Sequence, residues 1–501
     1  MHNEMGNYEK KYLLFINILI IIFVFIILYE TLENNKLIIG MEISLFLFLV
    51  LVYLNILFKN SNTFFVDIRL SFILGYSSYN LYSPIVYSFS QSEVLYYGRS
   101  DIGWMFNSND VQKSLFISIL FLGGLLLALT FVKNKKINVI SHNNKDLAIN
   151  RNEKNNFYLW LITFIISFAW YLYPYIEIGF EVINYDRWYR YSFLFNSLKE
   201  QLGIINSTFY LLFNNYLILI SLFMMFKNTI RSKDKLHKII TVAIFTFYSV
   251  FILFIDLRRR ELLIVILMCI SYYFFQIIYT LDNRKIKKIL KKIIFSLVIL
   301  LIFFMTYQQY REYFKYGYTD GISAITNMKS KQSESYKESE AYYSEFGMVY
   351  LTNLSSVKYT PELFYGKSYL EAIIKPIPFI TKITYEWLGY DKDKNAVDVW
   401  LSTIYTDLFA AGGGLGFSPA SEAYINFNYL GCFIIGFIIG LLLNLVYKKL
   451  YNNKYIVIYS ILFSLAFLFS RTDFLGFTYE FFWLVFYYIF YSSIFKIIRC
   501  S

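Results

Sequence analysis

Apolar stretches about as long as a helix needs to cross a bilayer, roughly 17–25 residues, recur from one end of this chain to the other and dictate what it can become. They fall at 12–29, 37–58, 64–84, 111–132, 157–174, 204–226, 239–255, 262–281, 293–308, 427–447, 455–469 and 481–495. Backbone polar groups in hydrocarbon must bond internally, so runs of this kind become helices. The expected fold is an all-α polytopic membrane protein of about twelve transmembrane helices, with a large outer loop between spans 9 and 10. Composition agrees: 57% of the 501 residues are hydrophobic and only 16% are charged, where soluble chains carry about 25% charge. The first run has no small-residue cleavage site behind it and reads as a retained span.

The charge distribution gives the orientation. Lys133, Lys135, Lys136, Arg151 and Lys154 crowd one connection, and Lys227, Arg231, Lys233, Lys235 and Lys238 another. Arg284, Lys285, Lys287, Lys288, Lys291 and Lys292 form a third group, with Lys448, Lys449 and Lys454 a fourth. With twelve spans, all four groups and both termini share one side, the cytoplasm by the positive-inside rule. The net charge of +12 therefore reflects membrane topology, and no nucleic-acid partner is expected. The chain divides into 1–308 with spans 1–9, an extracytoplasmic loop over 309–426, and 427–501 with spans 10–12. All six prolines fall on or beside the outer half, as irregular backbone outside the lipid requires. The Ser-, Lys- and Glu-rich 329–344 reads as a solvated part of the loop. No cysteine framework is implied by Cys269, Cys432 and Cys500.

Several arginines defy the topological rule. Asp256-Leu257-Arg258-Arg259-Arg260-Glu261 lies in an outer hairpin between two apolar runs, and Arg187, Arg190, Arg311 and Arg471 face the same compartment. One reading is that they snorkel to headgroups or pair with Asp256, Glu261, Glu312 and Asp473. The other is an anion site, because the planar guanidinium fork matches phosphate oxygens. At the outer interface such a site suits a lipid-linked pyrophosphate.

A second segment runs Gly412-Gly413-Gly414-Leu415-Gly416-Phe417-Ser418-Pro419-Ala420-Ser421-Glu422. The glycines suit either a flexible loop or an anion-binding nest. Ser418 reads as a helix N-cap with Pro419 as the first helical residue. Glu422 could act as a base, bind sugar hydroxyls, or only favour the positive end of its helix, and Asp407 and Asp473 carry the same alternatives. Trp104, Trp188, Trp387 and Trp400 could stack on sugars or form an interfacial belt. His2, His142 and His237 are all cytoplasmic in this topology, so no outer histidine serves as base or metal ligand.

On these residues the chain resembles the Wzy-type O-antigen polysaccharide polymerases. The carriers are the segment from Gly412 through Asn426 and Phe427, then Gly431, Phe364-Tyr365-Gly366-Lys367-Ser368-Tyr369-Leu370, the Ile377-Pro378 step, and Arg258-Arg259-Arg260-Glu261. Where the family pattern leads to Asn-Phe-Gly, this chain has Asn426-Phe427-Asn428, and asparagine tolerates left-handed backbone better than most residues. The resemblance implies a cofactor-free glycosyltransferase of the cytoplasmic membrane, active on its outer face, that joins oligosaccharide repeat units carried on undecaprenyl pyrophosphate. Implied partners are those lipid-linked oligosaccharides and membrane lipids, with a flippase and a chain-length regulator beside them. Arg258, Arg259 and Arg260 would bind the pyrophosphate with Arg311, and Arg471 would assist. Glu422 would contact the acceptor hydroxyl, with Gly412, Gly413, Gly414, Gly416, Ser418 and Asn426 in the binding segment. A flippase is the non-enzyme alternative. An O-antigen ligase is the enzyme alternative, and that family looks to use an outer histidine, which this chain lacks.

Overall fold

A computed structural model of the chain describes residues 34–60, 67–90, 94–99, 102–131, 151–179, 215–232, 234–255, 258–280, 345–359, 362–377, 397–406, 416–450 and 455–500. The elements are helices α1 (Asn34–Asn60), α2 (Ile68–Phe89) and α3 (Ser108–Phe131), with a hairpin of β1 (Leu95–Arg99) and β2 (Ile102–Phe106) between α2 and α3. Helices α4 (Arg151–Ile178), α5 (Asn215–Ser232) and α6 (Lys235–Val250) follow, and α6 runs into a π-turn at Phe251–Ile255 before α7 (Arg260–Thr280). Then come α8 (Glu345–Tyr359), α9 (Lys367–Ile374), α10 (Val397–Ile404), α11 (Pro419–Leu450), α12 (Ile456–Phe469) and α13 (Phe474–Cys500).

Among the described residues, six helices are long and apolar enough to cross a membrane: Lys36–Leu57, Ser108–Leu129, Asn156–Tyr173, Lys235–Ile255, Pro419–Lys448 and Phe474–Ile498. These fall on six of the predicted spans. Helices α2, α5, α7 and α12 occupy four more of those places, α12 being apolar but shorter. The runs at 12–29 and 293–308 lie outside the described residues. The hairpin is a departure from the all-α expectation. Leu95 pairs with Phe106 and Tyr97 with Trp104, and the ammonium of Lys358 in α8 caps it by donating to the Met105 carbonyl at 2.6 Å.

The chain forms two compact units. The first gathers α1–α3, the hairpin, α8–α12 and α13 as far as Phe481. Its centre is the crossing of α3 with α11, where a Cβ on Gly124 would collide with the Phe433 carbonyl and one on Gly436 with the Phe121 carbonyl. Lipid gives apolar helices no reason to associate, so close backbone approach at small residues has to supply the contact. At one end of this unit Arg69 is wholly buried, bonded to Asp67 at 2.6 Å and to Asn444 Oδ1 at 2.9 Å, with its guanidinium 4.0 Å from the Tyr447 ring centre.

Helix α8 enters the opposite end and is polar where it is most buried. Thr352, Asn353, Ser355 and Ser356 are all 0% exposed. Asn353 Nδ2 donates to Asn80 Oδ1 at 2.6 Å and to Ser118 Oγ at 3.0 Å, and its Oδ1 accepts from Ser421. Tyr350 bonds Ser114 and the Val111 carbonyl. Inside a bundle, polar groups that find each other across helices act as glue. Burial pushes the Tyr350 phenol well above its ordinary pKa and keeps it neutral.

The second unit gathers α4–α7 and the remainder of α13. His237 is buried there, stacked on Phe157 at 4.0 Å and bonded to Ser232 at 3.1 Å. Thr229 and Thr241 pair at 2.7 Å, and Trp160 meets Phe495 edge-on at 4.9 Å.

Candidate functional site

Helix α11 is broken near its start. Phe427 (φ −142°, ψ 16°) and Asn428 (φ 59°, ψ −158°) leave helical geometry, so the carbonyls before the break lose their partners one turn on. A backbone clip from the loop before α9 replaces them. The Phe364 N–H donates to the Ile425 carbonyl at 3.1 Å, and the Tyr365 N–H to the Asn426 carbonyl at 3.2 Å. The Gly366 N–H donates to Asn426 Oδ1 at 2.9 Å. The clip needs two consecutive left-handed residues, Tyr365 (φ 48°) and Gly366 (φ 84°).

Side chains complete the junction. Ser368 donates to Glu422 Oε1 at 2.7 Å, and the Phe474 N–H donates to Glu422 Oε2 at 2.7 Å. Asn426 Nδ2 donates to Ser368 Oγ and to the Glu422 carbonyl, both at 2.8 Å. Glu422 is 1% exposed and Asn426 0%. The carboxylate expected to face an acceptor hydroxyl therefore already accepts on both oxygens. Tyr369 stacks on Phe427 at 6.3 Å and meets Phe474 edge-on at 5.5 Å. Burial raises its hydroxyl well above the usual phenol range.

The end of the glycine-rich segment is pinned next to it. The Phe417 N–H donates to the Arg471 carbonyl at 2.9 Å. A Cβ on Gly416 would come within 2.7 Å of Val349 Cγ2 and 2.8 Å of that same carbonyl, so only glycine allows the approach. Ser418 holds the cap position before Pro419, and its carbonyl accepts from the Glu422 N–H at 3.1 Å. Its side chain does not cap. Ser418 Oγ is buried and makes no hydrogen bond, while its N–H donates to Thr352 Oγ1 at 3.3 Å. Arg471 is half-buried, its guanidinium carbon 6.0 Å from the Tyr79 ring centre. Asp473 opens α13 by accepting from the Gly476 N–H at 3.0 Å.

Arg258, Arg259 and Arg260 belong to the other unit. They are half-buried at the N-terminus of α7, where Arg258 lies 3.7 Å from Glu261 and its N–H donates to the Ile252 carbonyl at 2.9 Å. Three cations at the positive end of a helix raise the local potential, and Glu261 in the first turn offsets part of it. Arg311, Gly412, Gly413, Gly414, Asp407, Arg187, Arg190, Trp188 and Trp387 lie outside the described residues. Trp400 is buried at 8% exposure.

The sequence places Gly416, Ser418, Glu422 and Asn426 in one candidate segment and Arg471 among the outer arginines, and the structure puts all five in the first unit. It missed the partners Thr352 and Asn353. The signal available was a short helix-length stretch with Thr352, Asn353, Ser355 and Ser356 among Val349, Tyr350, Leu351 and Leu354, a mixture that serves neither lipid nor water.

Apolar helices of bilayer length, a broken helix clipped by a loop, and a buried polar seam at one end of the first unit define a multi-pass membrane protein. More narrowly, the chain belongs to the O-antigen polysaccharide polymerase Wzy family, whose model matches residues 12–500. That family carries a polymerase role in polysaccharide synthesis. No curated protein and no solved structure matches the chain.

Proposed function

We propose that this chain joins undecaprenyl-pyrophosphate-linked oligosaccharide repeat units on the outer face of the cytoplasmic membrane. The bond from the anomeric carbon of the growing chain to its carrier pyrophosphate breaks. A new glycosidic bond forms to a hydroxyl of the incoming unit, whose proton is released, and undecaprenyl pyrophosphate leaves with the electron pair. The observation that carries this reading is the family match along nearly the whole chain.

The residues supply electrostatic work suited to that reaction. Charge develops on a pyrophosphate leaving group, and fixed guanidinium groups stabilise such charge without reorganising. Arg258, Arg259 and Arg260 at the N-terminus of α7 are the proposed pyrophosphate grip, a role the family resemblance extends to Arg311, with Arg471 assisting. Glu422 is assigned a positioning role. Both its oxygens hold the junction of α9, α11 and α13, so it fixes the start of α11 against its neighbours.

Purified protein in proteoliposomes, given one lipid-linked repeat unit as sole substrate, should produce a ladder of polymer with release of undecaprenyl pyrophosphate. A ligase needs a separate acceptor and a flippase forms no bond, so unchanged substrate would refute the proposal.

A further inference from the structure

Helix α9 is inside out for a segment bathed in water. An amphipathic helix on an aqueous surface turns its apolar side inward. Here the inward side carries Ser368, Glu371 and Ala372, at 3%, 2% and 0% exposure, while Leu370 and Ile373 stand outward at 40% and 61%. Tyr365, just before the helix, is 74% exposed. This rotation is fixed by specific bonds, since Ser368 donates to Glu422 at 2.7 Å and Thr478 donates to the Ala372 carbonyl at 2.6 Å.

The outward face also has a neighbour that identifies its surroundings. Along α11, Leu430, Ile434 and Ile438 form an exposed apolar stripe at helical spacing, at 70%, 44% and 43% exposure, and Phe427 at the break, 39% exposed, lies against Gly431 at its head. On a candidate membrane span such a stripe matches the chemistry of acyl chains. The stripe begins where α9 touches it, for Tyr369 stacks on Phe427 and a Cβ on Gly366 would lie 3.1 Å from the Phe427 ring. The apolar face of α9 is thus continuous with a lipid-facing side. Lys367 and Lys375 bracket the helix, and Tyr365 precedes it, the residue types found at headgroup level.

We propose that α9 is an interfacial anchor whose outward face binds the bilayer itself. Leu370 and Ile373 dip into the boundary of headgroups and acyl chains, a depth of about 5–10 Å for helices of this kind. Tyr365 and Lys367 sit at the headgroups. The anchor holds the Ser368–Glu422–Asn426 junction at membrane level, where a lipid-linked substrate presents its head.

The test uses the full chain in phospholipid vesicles, with Cys269→Ala, Cys432→Ala and Cys500→Ser as background. Single variants Glu362→Cys, Leu370→Cys, Ile373→Cys and Leu430→Cys carry an environment-sensitive fluorophore. Labels at 370 and 373 should show blue-shifted emission, lose intensity to nitroxide lipids and resist aqueous iodide, as the label at 430 does. The label at 362 should do the reverse. Iodide quenching at 370 and 373 would overturn the proposal, and so would protection from both quenchers, which means a protein cover. The two positions lie one turn apart, so a failure to reconstitute at one is read at the other.

Discussion

Removing the Glu422 side chain separates the positioning role from proton transfer. In Glu422→Ala the Ser368 hydroxyl and the Phe474 N–H lose their acceptors, bonds of 2.7 Å each. A hydrogen bond to a carboxylate contributes about 1.5–3 kcal/mol, so the two together bound the loss at roughly 3–6 kcal/mol. Phe474 is only half-buried, and partial rehydration there brings the expected loss to about 3 kcal/mol. At roughly 2–4 °C per kcal/mol for a mid-sized domain, apparent unfolding of the solubilised protein should fall by roughly 6–12 °C. Glu422→Gln is the informative partner. Its amide oxygen can accept from Phe474 while its NH2 donates to Ser368 Oγ, so the junction loses only the acceptor of the Ser368 proton, about 1 kcal/mol. Both variants are heated in detergent and given lipid-linked repeat units. Ala should lose stability and polymer together, and Gln should keep both. A Gln variant that unfolds like the parent yet makes no polymer would mean that the carboxylate does chemistry, and the positioning assignment would fall.

Three further outcomes follow from the same geometry. Arg259→Ala should cut polymer yield roughly ten- to a hundredfold, the worth of one charged hydrogen bond, at unchanged protein level, with Arg259→Lys recovering part; a parental ladder from the Ala variant would refute the pyrophosphate grip. Gly416→Ala sets a methyl group 2.8 Å from the Arg471 carbonyl, which backbone cannot cheaply yield, so destabilisation of about 1–3 kcal/mol should appear on thermal unfolding, and a neutral result would deny the close approach. Asn428→Gly should stabilise by about 1 kcal/mol, the relief of φ 59° with ψ −158° less the exposed bond that Asn428 Oδ1 accepts from the Tyr429 N–H at 2.8 Å; a lower unfolding temperature would show that bond to outweigh the strain.

Hydropathy alone made the long helices legible, because lipid demands the same thing of each: α1, α3 and α4, α6 with its π-turn, α11 and α13 all fall on predicted runs. The ends were less legible. Helix α13 begins at Phe474 and α11 at Pro419, each before the apolar run it serves, because Asp473 and the Ser418 position start them and helical backbone continues past the hydrophobic edge. Ser418-Pro419 marks the start of α11, but the Ser418 hydroxyl does not cap it, and the Ser418 N–H bonds Thr352. Helix α8 stayed hidden. Its 15 residues are too few and too polar for a span, and their partners Asn80, Ser118 and Ser421 lie far away in sequence. Long-range polar pairing leaves no local period to read. Ser368 was visible only as part of a motif, with nothing in the motif to say that it would bind a carboxylate 54 residues later.

The break in α11 explains why these distant pieces have to meet. A helix interrupted within a membrane protein frees carbonyls that hydrocarbon cannot satisfy, and such a break survives only where other protein groups take them up. Phe364 and Tyr365 do this with successive N–H groups, and the next, of Gly366, takes the Asn426 side-chain oxygen. Presenting three N–H groups in a row requires left-handed backbone at Tyr365 and Gly366, a conformation an isolated loop would not keep. Ser368, Glu422, Asn426 and Phe474 hold it there. The motif around Gly366 and the segment ending at Asn426 are therefore two halves of one joint. The Gly416–Phe417 end of the glycine-rich segment is tied to the Arg471 carbonyl, three residues before Phe474. A change at Ser368 should for that reason be felt at Arg471, with no direct contact between them.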